Sequence, residues 1–330
     1  MTTRRLGRST VRVGPLALGA APLGNLFTPV DDTRAAQTVH AAWAAGVRHF
    51  DTAPHYGLGL SERRLGAALR ELPRAEYVLS TKVGRLLEPL PRVRGDDLAD
   101  GFAVPATHRR RWDFSADGVL RSIEASLERL GLDRIDLAYL HDPDDHAEQA
   151  LTAAYPALER LRAEGVLGAI GIGMNQAELP ARFVRETDLD VVLLAGRYSL
   201  LDQRGLAELL PLAAERGVSV VIGGVFNSGL LADPRPEATF DYTTAPAELL
   251  ARARELQRVC AAHGVPLRAA ALRFPFGHPA VAAVLVGARS PAEAADAGDM
   301  IDLPVPDALW ADLKERKLLP DQVPTPKEAD

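Results

Sequence analysis

Short apolar runs recur along the chain at 15–20 (PLALGA), 47–53 (VRHFDTA), 77–82 (YVLSTK), 135–141 (IDLAYLH), 167–174 (LGAIGIGM), 190–196 (DVVLLAG), 218–224 (VSVVIGG) and 281–287 (VAAVLVG). Each has the length of a strand, and Val, Ile and Leu follow one another instead of alternating with polar residues. Strands covered on both faces read this way. The segments between them carry helical periodicity. In 115–130, Leu120, Ile123, Leu127 and Leu130 share one stripe behind a capping Ser115. Asp32 is placed as the cap of a helix bearing Ala36, Val39 and Trp43, and the stretches 147–164 and 246–263 end at Gly165 and Gly264, which suit C-terminal caps.

Eight buried strands alternating with helices predict a closed (β/α)8 TIM barrel within a single domain over 1–330. The competing doubly wound sheet usually carries G-x-G-x-x-G after its first strand, but here that strand ends GAAPLG. Ahead of the barrel, residues 1–14 read as a hairpin, Arg4–Leu6 against Val11–Val13, able to plug its bottom. The longest connection follows strand three, spanning 84–114, and is expected to be a structureless loop that chooses the substrate. Residues 320–330 read as a frayed tail.

Composition narrows the function without naming it. The 330 residues are 47% hydrophobic, enough for a large core, and Lys+Arg 38 against Asp+Glu 44 leaves a net charge of −6. That balance speaks against a nucleic-acid or anionic-membrane surface, and 5% aromatic residues are too few for base-stacking rows. The lone Cys260 rules out an intramolecular disulfide and fits a reducing cytoplasm. No run is long enough to span a bilayer, and the first residues lack an apolar leader segment.

In such barrels, chemistry sits at the C-terminal ends of the strands. Asp51, Lys82 and His141 end strands two, three and four, and adjacent strands lie about 4.8 Å apart. Tyr56 follows five residues after Asp51, close enough to fold back over the same rim. Taken singly, each has a plain explanation: an N-cap, a solvated lysine, a structural histidine, a loop-packing tyrosine. Their convergence from three consecutive strands favours a shared site. A phenol of pKa about 10 needs help to act near neutrality, which a neighbouring ammonium gives. A carboxylate would hold that ammonium, and the histidine could bond the oxygen of a carbonyl or alcohol.

These residues sit in segments that resemble the aldo-keto reductase family from end to end: RRLGRS, FDTAPHYGLGLSERRLG, STKVG, IDLAYLHDPD, GIGMNQ and VLVGARSP. The second is the most specific, matching D-T-A-x-x-Y-G-x-G-x-S-E-x-x-L-G throughout. The resemblance implies Tyr56 as the acid/base, Lys82 lowering its pKa, Asp51 pairing with Lys82, and His141 orienting the substrate oxygen. It also implies an NAD or NADP cofactor bound without a Rossmann motif. Met174 and Asn175 would bond the carboxamide, and Gly224, Phe226, Ser228 and Leu230 would wrap the pyrophosphate. Gly287, Arg289, Ser290 and Glu293 would meet the adenosine side. Glu293, where a basic or amide residue often holds the 2′-phosphate, favours NAD, with Arg289 pulling the other way. Gly223 replaces a frequent stacked ring, and Ala195 a common Gln. Asn25, His55 and Trp112 are the substrate-side candidates.

Within the family, the GGVFNSGLL loop and the long insertion point to the bacterial sugar dehydrogenase branch. That implies oxidation of the anomeric C1 of an aldose such as L-fucose, L-galactose or D-arabinose to its lactone. Pyridoxal oxidation at C4 and general aldehyde reduction are the alternatives. A Schiff-base aldolase using Lys82, or a non-catalytic redox-sensing subunit, stays in reserve. The HDPDDH segment (141–146) reads better as a solvated loop than as a metal site, so no metal is expected. The Arg109–Arg111 run reads as a solvated face. The partner is a small sugar or aldehyde, and the oligomeric state stays open.

Overall fold

A computed structural model describes residues 2–93, 95–241 and 243–327. The eight apolar runs form eight parallel strands closed into a barrel in the order β3 (Leu16–Gly19), β4 (His49–Asp51), β5 (Val78–Val83), β10 (Leu137–His141), β11 (Ala169–Met174), β12 (Val191–Ala195), β13 (Ser219–Gly223) and β16 (Val281–Gly287). The predicted hairpin is present as β1 (Arg4–Arg5) against β2 (Arg12–Val13). Leu6, Val11 and Val13 pack on Leu137, Ala169, Val191, Val221 and Ala283, so the hairpin closes the bottom of the barrel with apolar side chains.

Most of the main core lies between the barrel and the surrounding helices. Ser115 caps the helix Ala116–Leu130 as expected, accepting from the Gly118 N–H. One position earlier than expected, Asp31 caps the helix Asp32–Ala44; Asp31 accepts from the Arg34 N–H, which leaves Asp32 inside the first turn. The expected helix 147–164 is interrupted by a π-turn over Ala150–Ala154. Pro156, at the start of the next helical segment Tyr155–Ala163, has no N–H to continue the preceding ladder.

The segment after β5 is not structureless. β6 (Arg85–Pro89) pairs with β9 (His108–Trp112), and β7 (Asp96–Asp97) with β8 (Phe102–Pro105). Alternation is hidden in the sequence because ion pairs replace apolar contacts: Glu88 lies across from Arg109 and binds both Arg109 and Arg111. A last ribbon, β14 (Thr239–Phe240) with β15 (Thr243–Thr244), follows β13. The tail is also more ordered than expected through residue 327. Val323 is buried, and the Pro324 carbonyl lies so close to Gly277 that a Cβ there would sit 2.5 Å from it. Residues 328–330 of the expected tail lie outside the described residues.

Candidate active site

Asp51, Lys82 and His141 are carried to one rim by β4, β5 and β10. Lys82 Nζ donates to Asp51 Oδ2 at 2.5 Å and to the Thr52 carbonyl at 2.9 Å. Ser80 donates to the other Asp51 oxygen at 2.7 Å, so the carboxylate is held from two sides. Tyr56 arrives from the turn after β4. There Gly57 (φ +60°) lets the backbone press against the first loop; an added Cβ would sit 2.2 Å from the Gly24 carbonyl. Behind the turn, Ser61 donates to the Ala20 carbonyl at 2.6 Å, and buried Glu62 takes Arg129 at 2.5 Å and Thr81 at 3.0 Å. The Ser-Glu of the most specific motif is therefore a clamp that seats the tyrosine.

Lys82 Nζ stands 4.7 Å from the Tyr56 ring centre, close enough for its charge to act on the phenol. The His141 ring lies edge-on to Tyr56 at 6.0 Å. Burial works against the Lys82 charge, but Asp51 and Tyr56 outweigh it and raise its pKa. Burial likewise pushes the Tyr56 phenol up, and Lys82 only partly offsets this. The net direction differs from simple activation by Lys82: the phenol rests protonated. Burial, followed by Arg85, Lys82 and His55, holds His141 well below the usual histidine range, so it is neutral. Its buried Nδ1 has no partner among the described residues.

The three substrate-side candidates fare differently. Asn25 is spent on the scaffold: its Oδ1 accepts from the Val30 N–H (2.9 Å) and Arg64 (2.8 Å), and its Nδ2 donates to the Ala103 carbonyl (3.2 Å). It anchors β8 to the first loop rather than offering its amide to a ligand. His55 lies at the site, 5.8 Å from the His141 ring, with Nδ1 accepting from Arg110. Burial, then Arg85 and Arg110, lower its pKa to about 2. Trp112 is half-exposed, stacked on Phe114 at 6.0 Å with the Arg85 guanidinium over its ring at 4.4 Å. Arg110, read in sequence as part of a solvated run, is largely buried and ties His55 to Asp97 and Asp100.

Sequence reasoning passed over Arg85 and took Asp142, within 141–146, as part of a solvated loop; Asp142 is instead half-buried and ion-paired. They pair with each other beside His141, whose Nε2 is 3.5 Å from Asp142 Oδ2. Both adjoin recognised segments, STKVG and the β10 histidine, but only the fold shows that they meet. With Trp112, Asp144, Asp145, His146, Asn175 and Gln176 they line a pocket of about 320 Å³. Among the described residues, no group of three or more His, Cys, Asp or Glu could hold a metal ion.

The far side of the same rim is lined by small residues. Gly173 and Gly223 face inward; the nearest side chains to a Cβ on Gly223 would be Leu193 and Ala195, at 3.5 and 3.6 Å. Met174 therefore faces outward and is buried in the main core, leaving only its backbone at the rim, whereas Asn175 is exposed. Leu230 is buried and Phe226 partly so, both packed in the core, with Gly224 (φ +63°) turning the chain between Ala195 and the loop. Asn227 fixes this loop, accepting from Ser199 at 2.5 Å and donating to the Gly196 carbonyl at 3.3 Å. The Ser228 carbonyl accepts from Thr239 at 2.7 Å. After β16, Ser290 caps the helix Pro291–Asp302, and Glu293 reaches back to the Arg289 N–H (2.8 Å) and guanidinium (3.2 Å). This is a capping box displaced by one residue, so the Glu293 carboxylate is engaged within the loop. Exposed Gly287 borders Pro22.

The model of the aldo/keto reductase family matches residues 15–317, spanning the barrel and every element of the site. This chain belongs to the aldo/keto reductase family. It is 49% identical to D-threo-aldose 1-dehydrogenase of a Pseudomonas species, with 92% of this chain and 94% of that protein aligned. It is 44% identical to pyridoxal 4-dehydrogenase of Microbacterium luteolum, with 96% and 97% aligned. Among solved structures, an aldo-keto reductase from Bacillus halodurans in its holo form superposes with TM-score 0.75 at 26% identity, covering 98% of both chains.

Aldo/keto reductases are oxidoreductases that use a nicotinamide cofactor. Three features of this aldo/keto reductase fit one: a rim left without side chains at Gly173 and Gly223, a His141 Nδ1 with no partner among the described residues, and a capped helix N-terminus after β16 where N–H groups favour anionic groups. No helix among the described residues is long and apolar enough to cross a membrane.

Proposed function

We propose that this aldo/keto reductase oxidises the anomeric C1 of an aldose to its lactone, with NAD preferred over NADP. The observation that carries the reading is the buried Asp51–Lys82–Tyr56–His141 cluster in a chain 49% identical to an aldose 1-dehydrogenase. The bound nicotinamide supplies a hydride acceptor. Everything else falls to the chain's own residues. Tyr56 takes the proton of the C1 hydroxyl as the C1–H bond breaks, and the C1–O bond gains its second component to give the lactone carbonyl. Lys82, held by Asp51, stabilises the resulting phenolate. Neutral His141 orients the substrate oxygen through an N–H donor. Because Tyr56 rests protonated, oxidation accelerates as pH rises and carbonyl reduction slows as the phenol ionises.

Asn175, the Gly224–Leu230 loop and the Gly287–Glu293 segment are proposed to hold the cofactor, with Met174 and Leu230 acting through their backbones only. The NAD preference rests on Glu293 neutralising Arg289 and occupying the N–H nearest the helix start. Glu293→Gln should shift the NADP/NAD ratio of kcat/KM toward NADP by about tenfold; an unchanged ratio removes this argument. Pyridoxal, through its cyclic hemiacetal, is the second reading, supported by the 44% identical relative. Buried, unreactive Cys260, its pKa raised to about 12 by burial, suits a cytoplasmic setting. Incubating the protein with NAD⁺ or NADP⁺ and L-fucose, L-galactose, D-arabinose or pyridoxal, and following reduced nicotinamide by absorbance, separates the readings. Turnover of pyridoxal without any aldose decides for the second.

A further inference from the structure

Asp142 is an unusual place to spend a carboxylate. It follows His141 at the end of β10 with a left-handed backbone (φ +42°), which side-chain-bearing residues seldom adopt. Its N–H bonds the Gly173 carbonyl at 3.0 Å, and this contact fixes the turn without help from the side chain. Oδ2 is taken by Arg85, whereas Oδ1 has no hydrogen bond among the described residues, and Asp142 lines the pocket. Arg85 is held against the Trp112 ring, and its buried Nε has no partner among the described residues. A half-buried ion pair of this kind does little for stability, and burial, with Asp144 on the same wall, adds to the cost of keeping the carboxylate charged.

The chemistry of the lining defines its ligand. Three carboxylates against the one guanidinium of Arg85 leave the lining net negative, which disfavours anions, and Trp112 is the one large apolar side chain among the described residues of the wall. A neutral molecule rich in hydroxyl donors satisfies it. We propose that Asp142, aimed by Arg85 and Trp112, is a specificity-determining residue whose free carboxylate oxygen accepts a ring hydroxyl of a polyhydroxylated substrate held against His141. This rests on the aldose reading above, which Asp142 would sharpen: the hydroxyl beside the reacting carbon sets which sugars are accepted.

The test is binding of L-fucose, L-galactose and D-arabinose to the NADH-loaded protein by calorimetry, alongside turnover. Two variants of Asp142 are used. Asp142→Asn keeps the shape, and Asp142→Gly suits the left-handed backbone, so one of them folds even if the other does not. Both should weaken binding of the best aldose at least about tenfold, as expected for loss of a charge-assisted hydrogen bond. Both should raise KM more than they lower kcat, and leave reduction of benzaldehyde, which has no hydroxyls, within about twofold. Undiminished sugar binding in both variants overturns the proposal. So does an equal loss on benzaldehyde, which would make Asp142 a support for His141, or a wild-type protein that binds none of the three sugars. If the wild type binds a sugar through Asp142 but does not oxidise it, the subsite stands and the aldose dehydrogenase reading falls. If it oxidises sugars with a KM indifferent to Asp142, the reading stands and the subsite falls.

Discussion

The two ends of the barrel are built from the same eight strands and obey different rules. At the bottom, Leu6, Val11 and Val13 of the N-terminal hairpin fill the opening among Leu137, Ala169, Val191 and Val221. At the top, Asp51, Lys82 and His141 are buried and Arg85 and Asp142 partly so, the buried Arg85 Nε and His141 Nδ1 have no partner among the described residues, and Asp142 holds a left-handed backbone. A ring of strands needs packing to close only once. Stability concentrated at one end lets the other carry desolvated charge, which costs stability but gives reactive groups. Changes at the bottom should therefore move folding alone, and changes at the top should move chemistry first.

The largest expected effect comes from Lys82→Met. It removes the group that stabilises the Tyr56 phenolate and leaves Asp51 buried without its partner, so turnover should fall by about 10² or more and stability by about 3–5 kcal/mol. Denaturant unfolding and initial rates on the same preparation read both; a fully active variant would show that Lys82 is only structural. Leu6→Ala is the counterpart at the bottom. It should cost about 2–4 kcal/mol and leave kcat and KM unchanged, so a matching loss of turnover in the folded variant would deny the division between the two ends.

The pH dependence of stability sharpens the same contrast. Burial lowers His49 to about 4 and, with Arg85 and Arg110, His55 to about 2. Both lie below the unfolded value near 6.5, so the unfolded chain binds more protons in between. Stability is full above about pH 6.5 and lost as pH falls toward 4, each such histidine adding a slope of about 1.4 kcal/mol per unit. His49→Gln should flatten the unfolding profile between pH 6.5 and 4; an unaltered slope contradicts the assignment. The smallest effect is expected of Arg109→Ala, whose ion pair with Glu88 is exposed on the Arg side and shared with Arg111. Melting and turnover should both stay near the parent, within about 0.5 kcal/mol.

The two ends also differ in what the sequence discloses. The barrel was legible because strands buried on both faces leave uninterrupted apolar runs. The bottom plug was legible because Leu6, Val11 and Val13 flank a turn. Asp51, Tyr56, Lys82 and His141 could be placed together because strand ends in a barrel share one rim. The ribbons of 85–112 were hidden, since Glu88, Arg109 and Arg111 supply by charge the cross-strand pairing that apolar alternation would have revealed. Asn25 looked available until its amide was found holding Val30, Arg64 and Ala103. The pleat of β11 turns the Met174 side chain outward into the core, which the local pattern does not disclose. The Arg85–Asp142 pair joins residues 57 positions apart, and nothing in either local pattern anticipates the meeting.

The central claim is that Tyr56 performs the proton transfer in a site prepared by Lys82 and His141. Tyr56→Phe removes one oxygen and nothing of the packing. On the best substrate of the aldose and pyridoxal panel, turnover should fall by about 10³, with cofactor binding, followed by nicotinamide fluorescence, within about twofold of the parent. Full turnover by the phenylalanine variant would contradict the account.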